Sequence, residues 1–414
     1  MSERRPFDVQ ALRAEFPALA QEVYRKPLVY LDNAATTQKP QRVLDAYLGF
    51  LSHDNANVHR GVHALASRST KAYEQARSTV ARALGAPEAR DVIFVRGTTE
   101  AVNLVAETWG RENVGPGDEI LVTALEHHSN FVPWQRLAAA RGARFVVVPV
   151  ETDGSVSVER FTQHLTARTR LAAFAHVSNA LGTVLPVAEL TRAAQAVGAR
   201  VFVDGAQAMS HLEPNVLALG CDFYAFSGHK VFAPPGIGAL WARRELLEAM
   251  PPWQSGGEMV ATVTEELSTW GPPPTRFEAG TPNFAGAVAL GAALEWRFEL
   301  DFVALQRHEA ALLAAATARV SEIPGARILG EAPGKVSVLS FVIDGLHASD
   351  LGMILDRDGV AIRVGTHCTQ PLLARFGLTA TARASFALYN TLDDVERFGD
   401  ALNRAVRMLR TGDP

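Results

Sequence analysis

The feature that most constrains the fold of this chain is a regular alternation of strand-like and helix-like patterns between about residues 70 and 241. Short apolar runs typical of buried strands alternate with longer amphipathic stretches, several of which end at a glycine such as Gly142 or Gly198. Strands are predicted at 91–95, 119–124, 144–148, 170–176, 200–204, 222–227 and 237–241, and helices at 70–84, 98–109, 132–141, 157–166 and 187–197. Because such alternation produces mainly parallel sheets sandwiched by helices, the expected fold class is α/β.

The part of the chain after about Gly280 has a different pattern. Helices predicted at 284–299 and 302–321 precede a strand at 335–343, a helix at 348–358, strands at 360–364 and 383–388, and a helix at 392–409. This order is typical of a smaller α+β domain. We therefore expect an N-terminal arm at 1–28, a large domain at 29–283 and a small C-terminal domain at 284–414.

Composition and charge argue against several classes of protein. The chain has 414 residues, of which 48% are hydrophobic, and a net charge of −4 at pH 7 without a basic tract, so nucleic acid is not an expected partner. No apolar run approaches the ~20 residues of a membrane span, and the N-terminus lacks the apolar core of a signal peptide. We expect a cytoplasmic protein with no membrane partner.

The cysteines and histidines give little sign of a metal site or a disulfide. The two cysteines, Cys221 and Cys368, are too few for a disulfide framework or a zinc quartet. Cys221 begins a predicted strand and is interpreted as a small buried hydrophobic residue. Cys368 lies in a polar loop, where a reactive thiol is plausible. His127 and His128 have no further ligands at a suitable spacing, so no metal is predicted.

Two charged side chains, Asp204 and Lys230, follow apolar strands of the predicted sheet. Alone, a lysine is usually exposed and an aspartate at a strand end often caps a helix. Together, at the edge where open α/β sheets bind ligands, they suit pyridoxal phosphate (PLP). This cofactor needs a lysine for its Schiff base and an acid beside its pyridine nitrogen. With the Cys368 thiol, the combination indicates sulfur chemistry on an amino acid.

Three further features fit a site of this kind. Thr98 and Thr99 begin a helix after a strand, where the N–H groups and the helix dipole form either an anion site or an ordinary N-cap. His127 follows another strand end and can stack on a pyridine ring or shuttle protons. Arg363 and Arg383 could each clamp a carboxylate, although either one alone is more typical of a surface arginine.

A set of short motifs, spread from about residue 28 to the C-terminus, carries a resemblance to a known family. The motifs are Tyr30-Leu31-Asp32-Asn33-Ala34-Ala35, Val58-His59-Arg60-Gly61, Arg96-Gly97-Thr98-Thr99-Glu100, Glu126-His127-His128, Pro133-Trp134, His176-Val177-Ser178-Asn179, Asp204-Gly205-Ala206-Gln207, Phe226-Ser227-Gly228-His229-Lys230, Phe277-Glu278-Ala279-Gly280-Thr281-Pro282-Asn283 and Arg363-Val364-Gly365-Thr366-His367-Cys368. Together they resemble the cysteine desulfurases of the class V aminotransferase group, which are fold-type I PLP enzymes. The closer resemblance is to the Suf-type, group II branch.

The resemblance implies a role for each matching residue. Lys230 would form the Schiff base, Asp204 would pair with the pyridinium nitrogen and His127 would stack on the ring. The other implied cofactor contacts are Gln207 at the ring oxygen, Thr98, Thr99, Ser227 and His229 at the phosphate, and Thr281 from a second subunit. The implied substrate contacts are Arg383, Arg363, Asn179 and His59, and Cys368 would accept the sulfur.

The resemblance also implies an activity and partners. The expected protein is a homodimeric sulfurtransferase that acts on L-cysteine, leaves a persulfide on Cys368, releases L-alanine and supplies sulfur for iron–sulfur cluster assembly. Its expected acceptor is a SufE-like or SufU-like protein of the Suf system. Selenocysteine lyase shares the fold and stays an alternative, as does a PLP-binding scaffold without turnover. The sequence departs from the family pattern at Ala233–Gly236, at Ser255–Gly257 and at Thr366, where His or Gln is common.

Overall fold

The computed structural model describes residues 5–411, so the first four residues of the expected N-terminal arm and the last three of the expected small domain lie outside the described residues. The strands are β1 (Glu22–Val23), β2 (Lys26–Pro27), β3 (Val29–Tyr30), β4 (Val92–Val95), β5 (Glu119–Thr123), β6 (Arg144–Val148), β7 (Thr169–Ala175), β8 (Arg200–Asp204), β9 (Phe223–Ser227), β10 (Gly238–Ala242), β11 (Val260–Val263), β12 (Ser268–Trp270), β13 (Ala326–Leu329), β14 (Val338–Ile343), β15 (Val360–Ala361), β16 (Arg363–Gly365) and β17 (Thr381–Ser385). The helices are α1 (Val9–Ala14), α2 (Gln41–His53), α3 (Ala64–Ala83), α4 (Thr98–Val105), α5 (Arg111–Asn113), α6 (Val132–Arg141), α7 (Val158–Gln163), α8 (Val187–Ala196), α9 (Ala208–His211), α10 (Val216–Leu219), α11 (Arg244–Ala249), α12 (Phe284–Phe298), α13 (Phe302–Ser321), α14 (Ala348–Arg357), α15 (Gln370–Arg375) and α16 (Leu392–Thr411).

The main sheet has seven strands in the order β4-β10-β9-β8-β7-β5-β6. Strands β6, β5, β7, β8 and β9 pair in parallel, whereas β10 runs antiparallel to both of its neighbours. The carboxyl ends of β4, β5, β7, β8 and β9 therefore lie at the same edge of the sheet. The predicted α/β fold, with a mainly parallel sheet, is confirmed.

Helices cover both faces of this sheet, as alternate residues of β8 illustrate. Val201 and Val203 belong to a core that also contains buried residues of α3, α8 and α12. Phe202 belongs to the core on the opposite face, where its ring packs edge-on against Trp134 of α6 at a centroid distance of 5.5 Å. A strand that is apolar on both sides is what a sheet buried on two faces requires.

The C-terminal part of the chain forms a second sheet in the order β13-β14-β17-β16, with all pairs antiparallel. Buried residues of α13, α14 and α16 form a separate core with this sheet. Strand β3 from the N-terminal side pairs in parallel with β15. Helix α12 packs against α2 and α3, and the division of the chain at residue 283 stays a prediction.

Several local features differ from the sequence-based expectation. The predicted strand at 360–364 is divided into β15 and β16, and the hairpin β11–β12 and the strand β13 were not predicted. The hairpin is largely exposed, so it lacks the apolar pattern by which strands are recognised. Within residues 5–411, no helix combines the length and the apolar character that crossing a bilayer requires.

Candidate active site

A cavity of about 400 Å³ opens at the carboxyl edge of the main sheet and is lined mostly by polar side chains. It brings together most of the residues predicted from sequence. These are Thr98, Thr99, His127, Asn179, Asp204, Gln207, Ser227, His229, Lys230, Arg363, Cys368 and Arg383. Because they come from several strand ends and from the C-terminal sheet, the cavity lies where open α/β sheets bind ligands.

The amine and the acid predicted from sequence both face this cavity. Asp204 is the last residue of β8, and Lys230 follows β9 in a short 3-10 turn. Burial lowers the pKa of Lys230 to about 8, although the Asp204 carboxylate partly opposes this change. Burial raises the pKa of Asp204, whose Oδ1 accepts the Ala206 N–H at 2.9 Å. A lysine that loses its proton near neutral pH is a ready nucleophile.

His127 begins the 3-10 turn that follows β5, and its ring lines the same cavity. Burial, with a smaller contribution from Lys230, lowers the pKa of His127 to about 3, so the ring is neutral. The Ser129 N–H donates to Nδ1 at 3.1 Å, which places the ring proton on Nε2. His127 therefore presents a neutral N–H donor near Lys230.

An anion cradle lies at the N-terminus of α4. The Thr98 N–H donates to Ser227 Oγ at 2.9 Å, and the Thr98 and Ser227 hydroxyls are 3.0 Å apart. A Cβ on Gly97 would lie 3.0 Å from Ser227 Oγ, and Gly97 has φ +158°, so a glycine keeps this cradle open. The dipole of the helix N-terminus, together with the hydroxyls of Thr98, Thr99 and Ser227 that line the cavity, favours a phosphate here.

The residues that line this cavity fit the chemistry of PLP. Lys230 supplies an amine with a lowered pKa, Asp204 a buried acid, His127 a flat ring and the start of α4 an anion cradle, all around one cavity. This donor set matches the Schiff-base lysine, pyridine-nitrogen partner and phosphate site that the cofactor needs. No group of three or more His, Cys, Asp or Glu among the described residues is arranged to hold a metal ion.

Arg383 is a buried guanidinium at the base of the cavity. Its Nη1 donates to the Asn179 carbonyl oxygen at 2.8 Å and its Nη2 to Asp32 Oδ1 at 3.2 Å, while its Nε has no partner among residues 5–411. Arg363, which is half exposed, approaches the same aspartate at 3.9 Å. The motif that contains Asp32 was recognised in the sequence, but no role was predicted for Asp32 itself. Only folding brings Asp32 to Arg383, so the sequence did not indicate this contact.

The two cysteines differ as predicted. Cys221 is fully buried, and burial raises the pKa of its thiol to about 12, which confirms its interpretation as a core residue. Cys368 is exposed and lies at the cavity that contains Lys230. Its loop, Thr366–Thr369, connects β16 to α15. An exposed thiol beside the predicted cofactor site can act as a nucleophile.

Two of the predicted residues lie outside this cavity in the single subunit. His59 Nε2 contacts Glu74 at 3.0 Å and its Nδ1 contacts Glu258 at 3.1 Å. Thr281 lines a different cavity together with Phe277. The substrate role of His59 and the phosphate role of Thr281 from a second subunit stay predictions.

Comparison with known proteins agrees with this geometry. Residues 29–398 match the family model described as Aminotransferase class-V. The chain belongs to the class-V aminotransferase family. PLP is the cofactor of this family, and the residues around the cavity suit it.

Individual relatives carry a more specific name. A cysteine desulfurase from Synechococcus elongatus is 51% identical over 98% of this chain, which spans only 64% of the length of that relative. A cysteine desulfurase from Dickeya dadantii is 47% identical over 97% of this chain and 98% of its own length. The crystal structure of the cysteine desulfurase CsdA (S-sulfonic acid) from Escherichia coli superposes with a TM-score of 0.90, at 41% identity, and covers 98% of this chain and 100% of that chain.

Proposed function

We propose that this protein is a PLP-dependent L-cysteine desulfurase, a sulfurtransferase that forms a persulfide on Cys368 and releases L-alanine. The observation that carries the proposal is the position of an exposed thiol, Cys368, at the cavity that also holds Lys230 and Asp204. An ordinary aminotransferase needs the amine and the acid but has no use for the thiol. Relatives named cysteine desulfurase support the same conclusion.

The cofactor would be held by Lys230, Asp204, His127 and the cradle at Thr98 and Ser227. When bound, PLP supplies an electron sink for the α-carbon of an amino acid. Arg383 lies buried in the cavity with its Nε unpartnered, so it is positioned to bind the substrate carboxylate.

The remaining steps use this chain's own side chains. Lys230, with its pKa near 8, accepts the α-proton of cysteine as a general base. The Cys368 thiolate then attacks the substrate sulfur. The substrate C–S bond breaks, and the electron pair of that bond stays on the β-carbon, which takes up a proton. The Lys230 ammonium returns a proton to the α-carbon, so alanine leaves while the sulfur stays on Cys368. The sum is L-cysteine plus a thiol giving L-alanine plus a persulfide.

The finer assignment is also part of the proposal. It places the protein in the Suf-type, group II branch, as a cytoplasmic homodimer that passes sulfur to an acceptor of the Suf system for iron–sulfur cluster assembly. The short Cys368 loop between β16 and α15 supports this branch, because a long mobile carrier loop would indicate the other one.

The decisive experiment measures alanine released from L-cysteine by the purified protein and by its Lys230→Ala variant. Loss of the general base alone lowers the rate by roughly 10²–10⁴-fold, and Lys230 has a second role as the cofactor lysine. Lys335 has a similarly lowered pKa, about 8, but lies outside the cavity. The matched Lys335→Ala variant should therefore keep its activity. Alanine release by Lys230→Ala at the wild-type rate would show that another residue is the catalytic lysine.

A further inference from the structure

The backbone of the Cys368 loop is strained at two consecutive residues. His367 and Cys368 both have positive φ, 51° and 57°, which is unusual for two consecutive residues with side chains. Each such residue is strained and persists only where its surroundings hold it in place. The loop therefore needs partners that fix it from outside.

Part of this support comes from Asn179, which lines the cavity, and from Thr381, the first residue of β17. The Asn179 Nδ2 donates to the His367 carbonyl oxygen at 2.8 Å, and the His367 Nε2 is 2.7 Å from the Thr381 hydroxyl. Both contacts act on residue 367. They leave Cys368 and the first turn of α15 to be held by other groups.

His128 makes the hydrogen bonds that hold Cys368 and the first turn of α15. Its backbone N–H donates to the Cys368 carbonyl oxygen at 2.8 Å. Its side-chain Nε2 accepts the N–H of Gln370, the first residue of α15, at 3.3 Å. Helix α15 has no side-chain cap from Thr369, its own N-cap residue. The imidazole of His128 therefore takes the role that a local Ser, Asp or Asn usually plays.

We propose that His128 is a positioning residue, which caps α15 and thereby holds Cys368 at the cavity. The ring must be neutral to accept the Gln370 N–H, and burial lowers the pKa of His128, which favours the neutral form. His128 also directly follows His127. One short turn thus fixes both the ring beside the cofactor site and the loop that carries the thiol.

The proposal concerns the position of the Cys368 loop and rests on the proposed function only for its consequence in catalysis. Its primary test is therefore independent of turnover. The rate at which iodoacetamide alkylates Cys368 is followed by mass spectrometry of the Cys368 peptide in the PLP-loaded protein. Loss of a helix cap costs about 1 kcal/mol, so His128→Phe should populate the released loop about fivefold more and raise the alkylation rate of Cys368 by up to that factor. His128→Gln, which keeps an acceptor, should stay close to the wild-type rate.

A matched control lies elsewhere in the chain. His347 also caps a helix through a ring nitrogen, here as the N-cap residue of α14 itself, because its Nδ1 accepts the Ser349 N–H at 3.2 Å. His347→Phe should leave Cys368 alkylation unchanged. An unchanged rate in His128→Phe, or an equal rise in both phenylalanine variants, would overturn the proposal.

Two more measurements separate positioning from general stability. In the wild-type protein, hydrogen exchange at the Gln370 amide should be slower than at an unprotected amide. This measurement needs no variant, so it tests the proposal even if His128→Phe does not fold. Exchange at the rate of an unprotected amide would overturn the proposal. In steady-state assays with an acceptor, His128→Phe should lower kcat several-fold with little change in KM for L-cysteine. The two proposals can fail separately. If no form of the protein, the wild type included, releases alanine from L-cysteine but His128→Phe is still alkylated faster, only the proposed function is contradicted and the positioning role stands.

Discussion

At the scale of single residues, the lowered pKa of Lys230 has a direct consequence for loading the cofactor. Only a neutral amine attacks the aldehyde of PLP, and the neutral fraction grows as pH rises through the pKa. With a pKa of about 8, reconstitution of the cofactor-free protein should speed up roughly fivefold between pH 7 and pH 8 and then level off. An ordinary lysine, with a pKa near ~10.4, would keep gaining about tenfold per pH unit.

The measurement is the absorbance change on adding PLP to cofactor-free protein at several pH values. Lys230→Ala is the control, because it keeps Lys39 and Lys335, two other lysines whose pKa burial lowers to about 8, and it should give no covalent product. A rate that still rises tenfold between pH 9 and pH 10 would mean that burial does not lower the pKa of the lysine that reacts.

Asp204 offers a second test at the same scale. A buried carboxylate beside a pyridine nitrogen shifts the pKa of that nitrogen upward by about 1–3 units. Asp204→Asn should therefore reduce alanine release by about tenfold to a thousandfold and change the absorbance spectrum of the bound cofactor. Asp222, equally buried but paired with Arg200 and Arg243 away from the cavity, provides the control variant Asp222→Asn. Full activity with an unchanged spectrum in Asp204→Asn would rule out the pairing.

These residues could be predicted because each lies in a motif at a strand end, where local sequence carries the signal. Asp32 and His128 could not be given their roles in the same way. Asp32 meets Arg383 and His128 meets Gln370 only after hundreds of intervening residues have folded. A hydrogen bond between two distant polar residues leaves no periodic pattern in one sequence.

At the scale of elements, helix α3 is joined to the segment that carries Thr281 by a buried ion pair. Arg77 Nη1 contacts Glu278 Oε1 at 2.6 Å, and the two side chains are only 1% and 5% exposed. Glu278 also accepts the Tyr73 hydroxyl at 2.8 Å and the Phe94 N–H at 2.7 Å. The carboxylate thus ties α3 and β4 to the loop before α12.

We expect Arg77→Met to lower the free energy of unfolding by about 3–5 kcal/mol, because it leaves the Glu278 charge buried without a cation. Arg82→Met on the same helix is the control: Arg82 pairs with Glu295, but both side chains are about half exposed. Such a pair contributes about 0–1 kcal/mol. Urea unfolding of both variants checks this, and equal losses would show that the buried pair is no stronger than the exposed one.

The same scale shows where sequence patterns succeed and fail. Strands β5, β7, β8 and β9 were predicted to within one or two residues, because they are apolar runs that are buried almost throughout. The edge strand β6 was predicted equally well from its apolar run, although it is only partly buried. The antiparallel direction of β10 was not predicted, since an apolar run looks the same in either direction. Strand β3 was also missed as a partner of β15, because a two-residue strand is too short to show a period.

At the scale of the whole molecule, the cavity is assembled from parts that are far apart in the chain. Lys230 and Asp204 come from the main sheet, whereas Arg363, Cys368 and Arg383 come from the C-terminal sheet and its following loop. The thiol is therefore anchored on one sheet and faces a site on the other. How far it can move decides how sulfur leaves the protein.

The Cys368 loop, Thr366–Thr369, is held between β16 and α15, and the Thr369 N–H donates to the Thr366 carbonyl oxygen at 2.9 Å. At about 3.3–3.6 Å per extended residue, this loop would reach at most about 14 Å even if it were fully released. A persulfide on Cys368 should consequently stay at the cavity. We therefore expect an acceptor protein to bring its own thiol, or a zinc-bound thiolate, to collect the sulfur.

This leads to a prediction about turnover. With L-cysteine alone, the protein should release about one alanine per subunit in a rapid first phase and then slow sharply, whereas a sulfur acceptor protein of the Suf system should restore continuous turnover. Cys368→Ser should lack the first phase, transfer no persulfide and still bind L-cysteine, as a change in cofactor absorbance would report. Rapid-quench measurement of alanine separates the two phases. Continuous turnover at full rate without acceptor or reductant, or normal sulfur transfer by Cys368→Ser, would mean that sulfur leaves by a route that does not depend on this anchored thiol.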